Sequence, residues 1–123
     1  MRYISTRGQA PVRDFSGVLL AGLAEDGGLY VPAHWPELST RAFTHLQGKS
    51  YEDVAYEVMH PFIGGAIPKA QLCGMIADAY RGFGHPAVAP LKQLDDNQWL
   101  LELFHGPTLA FKDVASNCMA TSL

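Results

Sequence analysis

Apolar residues recur at helical spacing over two long stretches of this chain. After Ser50, the residues Tyr51, Val54, Ala55, Val58, Met59 and Phe62 fall at i, i+3, i+4, i+7, i+8 and i+11, which predicts an amphipathic helix ended by Gly64-Gly65. Pro68 then stands where a helix tolerates proline, in its first turn. Leu72, Met75, Ile76, Ala79, Tyr80 and Phe83 repeat the same spacing behind it. An earlier helix is predicted from a cap at Asp14 or Ser16, with Phe15, Val18, Leu19 and Leu23 on one face and a stop at Asp26-Gly27-Gly28. Ser39 is a further good cap, like Ser50. The faces are expected to meet in one apolar cluster of Leu19, Leu23, Val54, Val58, Phe62, Leu72, Ile76 and Tyr80. Met59 and Met75 on these stripes read as core filler.

Shorter apolar runs flank the helices. Tyr3-Ile4-Ser5 and Leu29-Tyr30-Val31 read as short strands, the second buried and ended by Pro32. His85-Pro86-Ala87-Val88-Ala89-Pro90 cannot sustain a helix and reads as an extended connection, so a domain boundary is placed near residue 85. Leu91 to Leu94 is followed by a polar turn, Asp95-Asp96-Asn97, and then by Trp99 to Phe104, which by length and aromatic content reads as a buried strand. His105-Gly106-Pro107-Thr108 breaks that strand with turn chemistry. Leu109 to Ala115 can restart as a helix, with Lys112 in or just before its first turn.

Composition narrows the function classes. A formal net charge of -3, with Lys+Arg 9 against Asp+Glu 12, is no footprint for nucleic acid or an anionic membrane. Charged residues make up 17% of the 123 residues, where roughly a quarter is usual in soluble domains. Apolar residues reach 48%, more than a solvent-exposed domain of this size needs, and a missing partner surface is one explanation. Cys73 and Cys118 make no disulfide framework, and neither a signal peptide nor a run of membrane-spanning length is present, so a cytoplasmic setting is expected.

The candidate chemistry centres on Lys112. A cation gains nothing from the dipole at a helix N-terminus, and flanking Ala110, Phe111 and Val114 are expected to desolvate the amine and favour its neutral form. A neutral amine there is suited to attack a carbonyl and form a Schiff base. On spacing and composition alone, a solvated lysine paired with Asp113 is the more common outcome, because most lysines are solvated. His105 lies in the preceding turn, either bonded to local backbone or close to substrate. Thr108 either caps the helix or points its hydroxyl at a ligand. His60, His85, His105, Cys73 and Cys118 show no paired ligand spacing, and no metal site is expected.

The run Glu102-Leu103-Phe104-His105-Gly106-Pro107-Thr108-Leu109-Ala110-Phe111-Lys112-Asp113 resembles the pyridoxal-phosphate attachment segment of fold type II, tryptophan-synthase-β-like enzymes, in the version found in threonine synthases. Tyr3-Ile4-Ser5-Thr6-Arg7-Gly8, Leu19 to Ala24 and Asp26 to Pro32 resemble the N-terminal domain of the same family. The resemblance spans residues 2 to 115. It implies an α+β or α/β fragment: a mainly helical N-terminal domain, 1–84, then the first strand, turn and helix of a pyridoxal-phosphate-dependent α/β domain, 85–123, with an atypical tail at 116–123. It implies pyridoxal phosphate held by Lys112 as a Schiff base, conversion of O-phosphohomoserine and water to threonine and phosphate, and proton transfer by the same lysine. Asp113 is then a structural neighbour, and His105 and Thr108 are substrate-proximal.

The family's glycine-rich phosphate-binding loop is expected downstream of this segment. The chain therefore reads as the N-terminal piece of a longer family member, inactive by itself, which self-associates or is completed by a complementary C-terminal fragment. The alternative is a non-catalytic interaction or relic domain.

Overall fold

The computed structural model describes residues 1–115. The expectation about the tail at 116–123 lies outside the described residues. The architecture is mixed α/β. In chain order the elements are β1 (Tyr3–Ser5), α1 (Phe15–Ala21), β2 (Tyr30–Pro32), α2 (Thr40–Leu46), α3 (Tyr51–Ile63), α4 (Lys69–Tyr80), β3 (Leu91–Asp95) and β4 (Gln98–Leu101). The chain divides into two compact units, one formed by Met1–Gln47 with Glu57–Lys69 and the other by Gly48–Tyr56 with the residues from Ala70 onward.

In the first unit, β1 and β2 pair antiparallel, Tyr3 opposite Pro32 and Ser5 opposite Tyr30. Strand periodicity puts Tyr3 and Ser5 on the covered face and Ile4 on the open one. The Tyr3 hydroxyl donates to the Phe62 carbonyl at 2.7 Å, and its ring leans on Phe15 at 6.5 Å. The β2 residues are half-buried rather than buried, because a two-stranded sheet has few neighbours to cover it. Helix α1 is capped by Asp14, whose side chain accepts the Gly17 N–H at 2.8 Å. It ends earlier than expected. Gly22 takes φ 67, a left-handed value that glycine adopts without a Cβ clash, and its N–H closes on the Val18 carbonyl. Leu23 therefore leaves the helical face and is 66% exposed.

Ser39 caps α2 and Ser50 caps α3, accepting the N–H groups of Ala42 at 3.2 Å and Asp53 at 3.1 Å. The acidic residues Glu52 and Asp53 occupy the first turn of α3, where the dipole favours them. Pro61 lies inside α3, within its last turn before Gly64.

The second unit is organised by α4. Leu72, Ile76, Ala79 and Tyr80 are buried at i, i+4, i+7 and i+8, and Ile76 is 0% exposed. The Tyr80 ring meets Tyr51 edge-on at 4.8 Å and Phe83 at 5.5 Å, and its hydroxyl donates to the Val114 carbonyl at 3.3 Å. The residues expected to form one cluster divide between the two units and differ in burial. Leu72, Ile76 and Tyr80 are buried, Val54 and Phe62 are half-buried, and Leu19, Leu23 and Val58 are exposed.

Residues 85–88 also differ from the expected extended connection. They form a turn, in which Val88 donates to the His85 carbonyl at 2.9 Å and Ala87 donates to His85 Nδ1 at 3.1 Å. β3 and β4 then form an antiparallel hairpin, with Leu91 opposite Leu101 and an irregularity between Gln93 and Asp95. The strand was expected to be buried, yet every residue of β3 and β4 is exposed. Two strands alone leave both sheet faces open.

Candidate active-site segment

The residues from Glu102 to Ala115 follow the hairpin within the second unit. A turn closes over Gly106 to Leu109, with the Leu109 N–H donating to the Gly106 carbonyl at 3.1 Å. Leu109 has φ 60, a left-handed conformation that costs a residue bearing a Cβ. Helical backbone begins at Lys112.

Asp113 ties the turn to the helix. One carboxylate oxygen accepts the Thr108 N–H at 2.8 Å, and the other accepts the Thr108 hydroxyl at 2.6 Å. The Asp113 N–H donates to the Ala110 carbonyl at 3.0 Å. Asp113 is only 6% exposed. The Thr108 hydroxyl, helped by the backbone N–H donors and opposed by desolvation, holds its pKa below the ordinary aspartate value. Gly106 is buried against this carboxylate, and a Cβ at position 106 would fall on the Asp113 side chain.

Lys112 is exposed, as is Phe111. Of the three side chains expected to shield the amine, Phe111 faces solvent and Ala110 and Val114 are half-buried. Nor does the Asp113 carboxylate serve Lys112 as its partner, since both oxygens accept from Thr108. Thr108 itself donates to a carboxylate instead of capping the helix.

His105 is held by both its side chain and its backbone. Its Nε2 lies 2.7 Å from Glu102 Oε2, both side chains being partly buried. Its carbonyl accepts the Gly84 N–H at 2.8 Å, and its ring lies 5.2 Å from that of His85. The expected backbone hydrogen bond is replaced by one to a side chain three residues back. That i, i+3 spacing was visible in the sequence. The approach of His85 was not, because it depends on the turn at 85–88. Among the described residues no group of three or more His, Cys, Asp or Glu is placed to hold a metal ion, and no helix is long and apolar enough to cross a membrane.

The family model described as threonine synthase N terminus matches residues 2–80. The chain belongs to the threonine synthase family. Threonine synthase from Pseudomonas aeruginosa is 55% identical over 115 residues, covering 94% of this chain and 24% of the relative. A crystal structure described as PLP-bound threonine synthase from Brucella melitensis superposes with a TM-score of 0.96 at 55% identity, covering 99% of this chain and 26% of that one. Threonine synthase from yeast gives a TM-score of 0.90 at 37% identity, over 98% of this chain and 25% of that one. The chain thus spans about a quarter of the length of the threonine synthases it matches.

The pyridoxal phosphate named for the Brucella structure presents an aldehyde to an amine. An exposed primary amine on a locked turn fits the aldehyde end of that cofactor.

Proposed function

We propose that this chain is the N-terminal part of a pyridoxal-phosphate-dependent threonine synthase, converting O-phosphohomoserine and water to threonine and phosphate. The observation that carries the reading is the continuity of the likeness through Lys112. The Brucella structure, described as PLP-bound, matches 99% of this chain at 55% identity. In this reading residues 1–84 are the N-terminal domain and residues 85–123 open the catalytic domain. Its first strand, turn and helix start are then β4, the Gly106–Leu109 turn and residues 112–115.

Lys112 would hold the cofactor covalently through Nζ and, once the substrate amine has displaced it, its freed amine would move protons at the substrate carbon. When bound, pyridoxal phosphate supplies the electron sink. His105 and Thr108 border the substrate. Glu102 holds His105 in one orientation and favours the tautomer that carries a proton on Nε2. The single hydroxyl proton of Thr108 is committed to Asp113, so toward a ligand Thr108 offers a lone pair and no donor.

Specific cofactor binding also needs convergent donors on the phosphate and a clamp on the ring. The 123-residue chain alone is therefore expected to hold pyridoxal phosphate no more tightly than an unfolded control. The test continues this chain with the remaining sequence of the Pseudomonas relative and follows cofactor retention and threonine formation. Both are expected in the extended chain and absent from its Lys112→Ala variant. Borohydride-reduced label on another lysine of the active extended chain would overturn the assignment. A second reading, a non-catalytic interaction module, is favoured by the exposed apolar hairpin of β3 and β4. Failure of the extended chain to form threonine while it binds a partner through that hairpin would support it.

A further inference from the structure

The proposed role of Lys112 leaves open what holds its backbone. Three features converge on the residue beside it. Asp113 is a buried carboxylate in a stretch where Thr108, Leu109, Phe111 and Lys112 are exposed. Both its oxygens accept from one residue five positions earlier, through a backbone N–H and a hydroxyl. Gly106 leaves the space that the carboxylate fills, and a side chain there would displace it. Between these anchors the chain passes through Leu109 at φ 60, a conformation that persists only where surrounding contacts impose it.

We propose that Asp113, seated against Gly106, is a positioning residue for Lys112: the two hydrogen bonds it accepts from Thr108 lock the turn from which Lys112 projects. A charged acceptor serving two donors is stronger than neutral hydrogen bonds, and it fixes two backbone positions on either side of the strained leucine. Asp113 touches neither substrate nor cofactor in this scheme. It acts through the backbone. The inference rests on the reading of Lys112 as the cofactor-holding residue, and the test separates the two.

The chain carries Lys49, Lys69 and Lys92 besides Lys112, which serve as internal controls. The chain extended with the remaining sequence of the Pseudomonas relative is incubated with pyridoxal phosphate, reduced with borohydride and mapped by peptide. Asp113→Ala and Thr108→Val are expected to lower the share of label at Lys112 about fivefold relative to the other lysines, the scale of one lost hydrogen bond, and Thr108→Ser to restore it. In the 123-residue chain, Asp113→Ala is expected to speed hydrogen exchange of the Thr108 amide about tenfold. Should Asp113→Ala not fold, Thr108→Val, which keeps the backbone N–H and the volume, carries the test. A share at Lys112 within about twofold of the parent in folded variants overturns the positioning role. A parent label that lies mainly on another lysine overturns the reading of Lys112 instead.

Discussion

The Ser5 hydroxyl donates to the Asp26 carboxylate at 2.7 Å, joining strand β1 to the loop that leads into β2. The same carboxylate accepts the N–H groups of Gly28 at 2.9 Å and of Gln9 and Ala10 at 3.0 Å each. One side chain thus gathers three separate stretches of the first unit. The double glycine at 27–28, read in the sequence as a helix stop, serves this loop instead: Gly28 packs so closely that a Cβ would strike the Ser5 hydroxyl.

Asp26 should make this unit acid-sensitive. Burial disfavours its charge, but the donors from Ser5, Gly28, Gln9 and Ala10 outweigh burial and bring its pKa from 3.8 to about 2. The folded value lies below the unfolded one, so the ionised group contributes stability that is fully present above pH 3.8 and is lost as pH falls toward 2. Thermal midpoints measured through that window should fall for the parent. They should fall less for Asp26→Asn, which starts lower. An equal acid loss in both proteins would assign the sensitivity to other carboxylates.

The packing separates two positions that periodicity treats alike. Ile76 is 0% exposed on α4, while Val58 on α3 is 40% exposed. Ile76→Ala should cost about 2–5 kcal/mol in urea unfolding, from lost transfer energy and the cavity left behind. Val58→Asp leaves its carboxylate in water and should cost about 1 kcal/mol or less. Reversed magnitudes would mean that α3 turns its other face inward.

Local signals were legible in the sequence and distant ones were not. Asp14, Ser39 and Ser50 cap the helices they were expected to cap, because a cap needs only its own next three residues. The stripe on α4 was legible for the same reason. Leu23 was misplaced because Gly22, and not Gly27-Gly28, ends α1. The exposure of Val58 and of the hairpin depends on which elements are present to cover them, and periodicity carries no information on that. In the candidate site, the turn after the strand and the place of Lys112 at a helix start followed from Gly106, Pro107 and the apolar pattern. The seat of Asp113 against Gly106 did not, since it arises only when the turn folds back over seven residues.

Leu109 offers a direct measure of stored backbone strain. It is 74% exposed, so changing it forfeits little burial, and its φ of 60 penalises a Cβ. A β-branched side chain crowds this region further. Leu109→Val should therefore be less stable than Leu109→Gly by about 1–2 kcal/mol, although valine keeps more apolar surface than glycine. The comparison is read from paired urea midpoints. Equal stabilities would mean that the turn relaxes away from the left-handed conformation.

The β3–β4 hairpin should make the chain self-associate. Its register places Leu91 opposite Leu101 and Gln93 opposite Trp99, so strand alternation gathers Leu91, Trp99 and Leu101 on one face, with Lys92 and Leu100 on the other. All three apolar residues of the first face are exposed, and the two-stranded sheet leaves an unpaired edge on each strand. Open edges beside apolar surface are templates for pairing with another chain, and the one lysine on the opposite face, Lys92, is little protection. Sedimentation velocity should show species larger than a monomer that grow with concentration. Replacing Trp99 and Leu101 together with lysine puts charge on the apolar face and should shift the distribution toward monomer. Leu100→Lys, on the opposite face, should shift it less. A concentration-independent monomer for the parent would refute association, and equal effects from the two faces would place the contact at the strand edges and not on the Trp99 face.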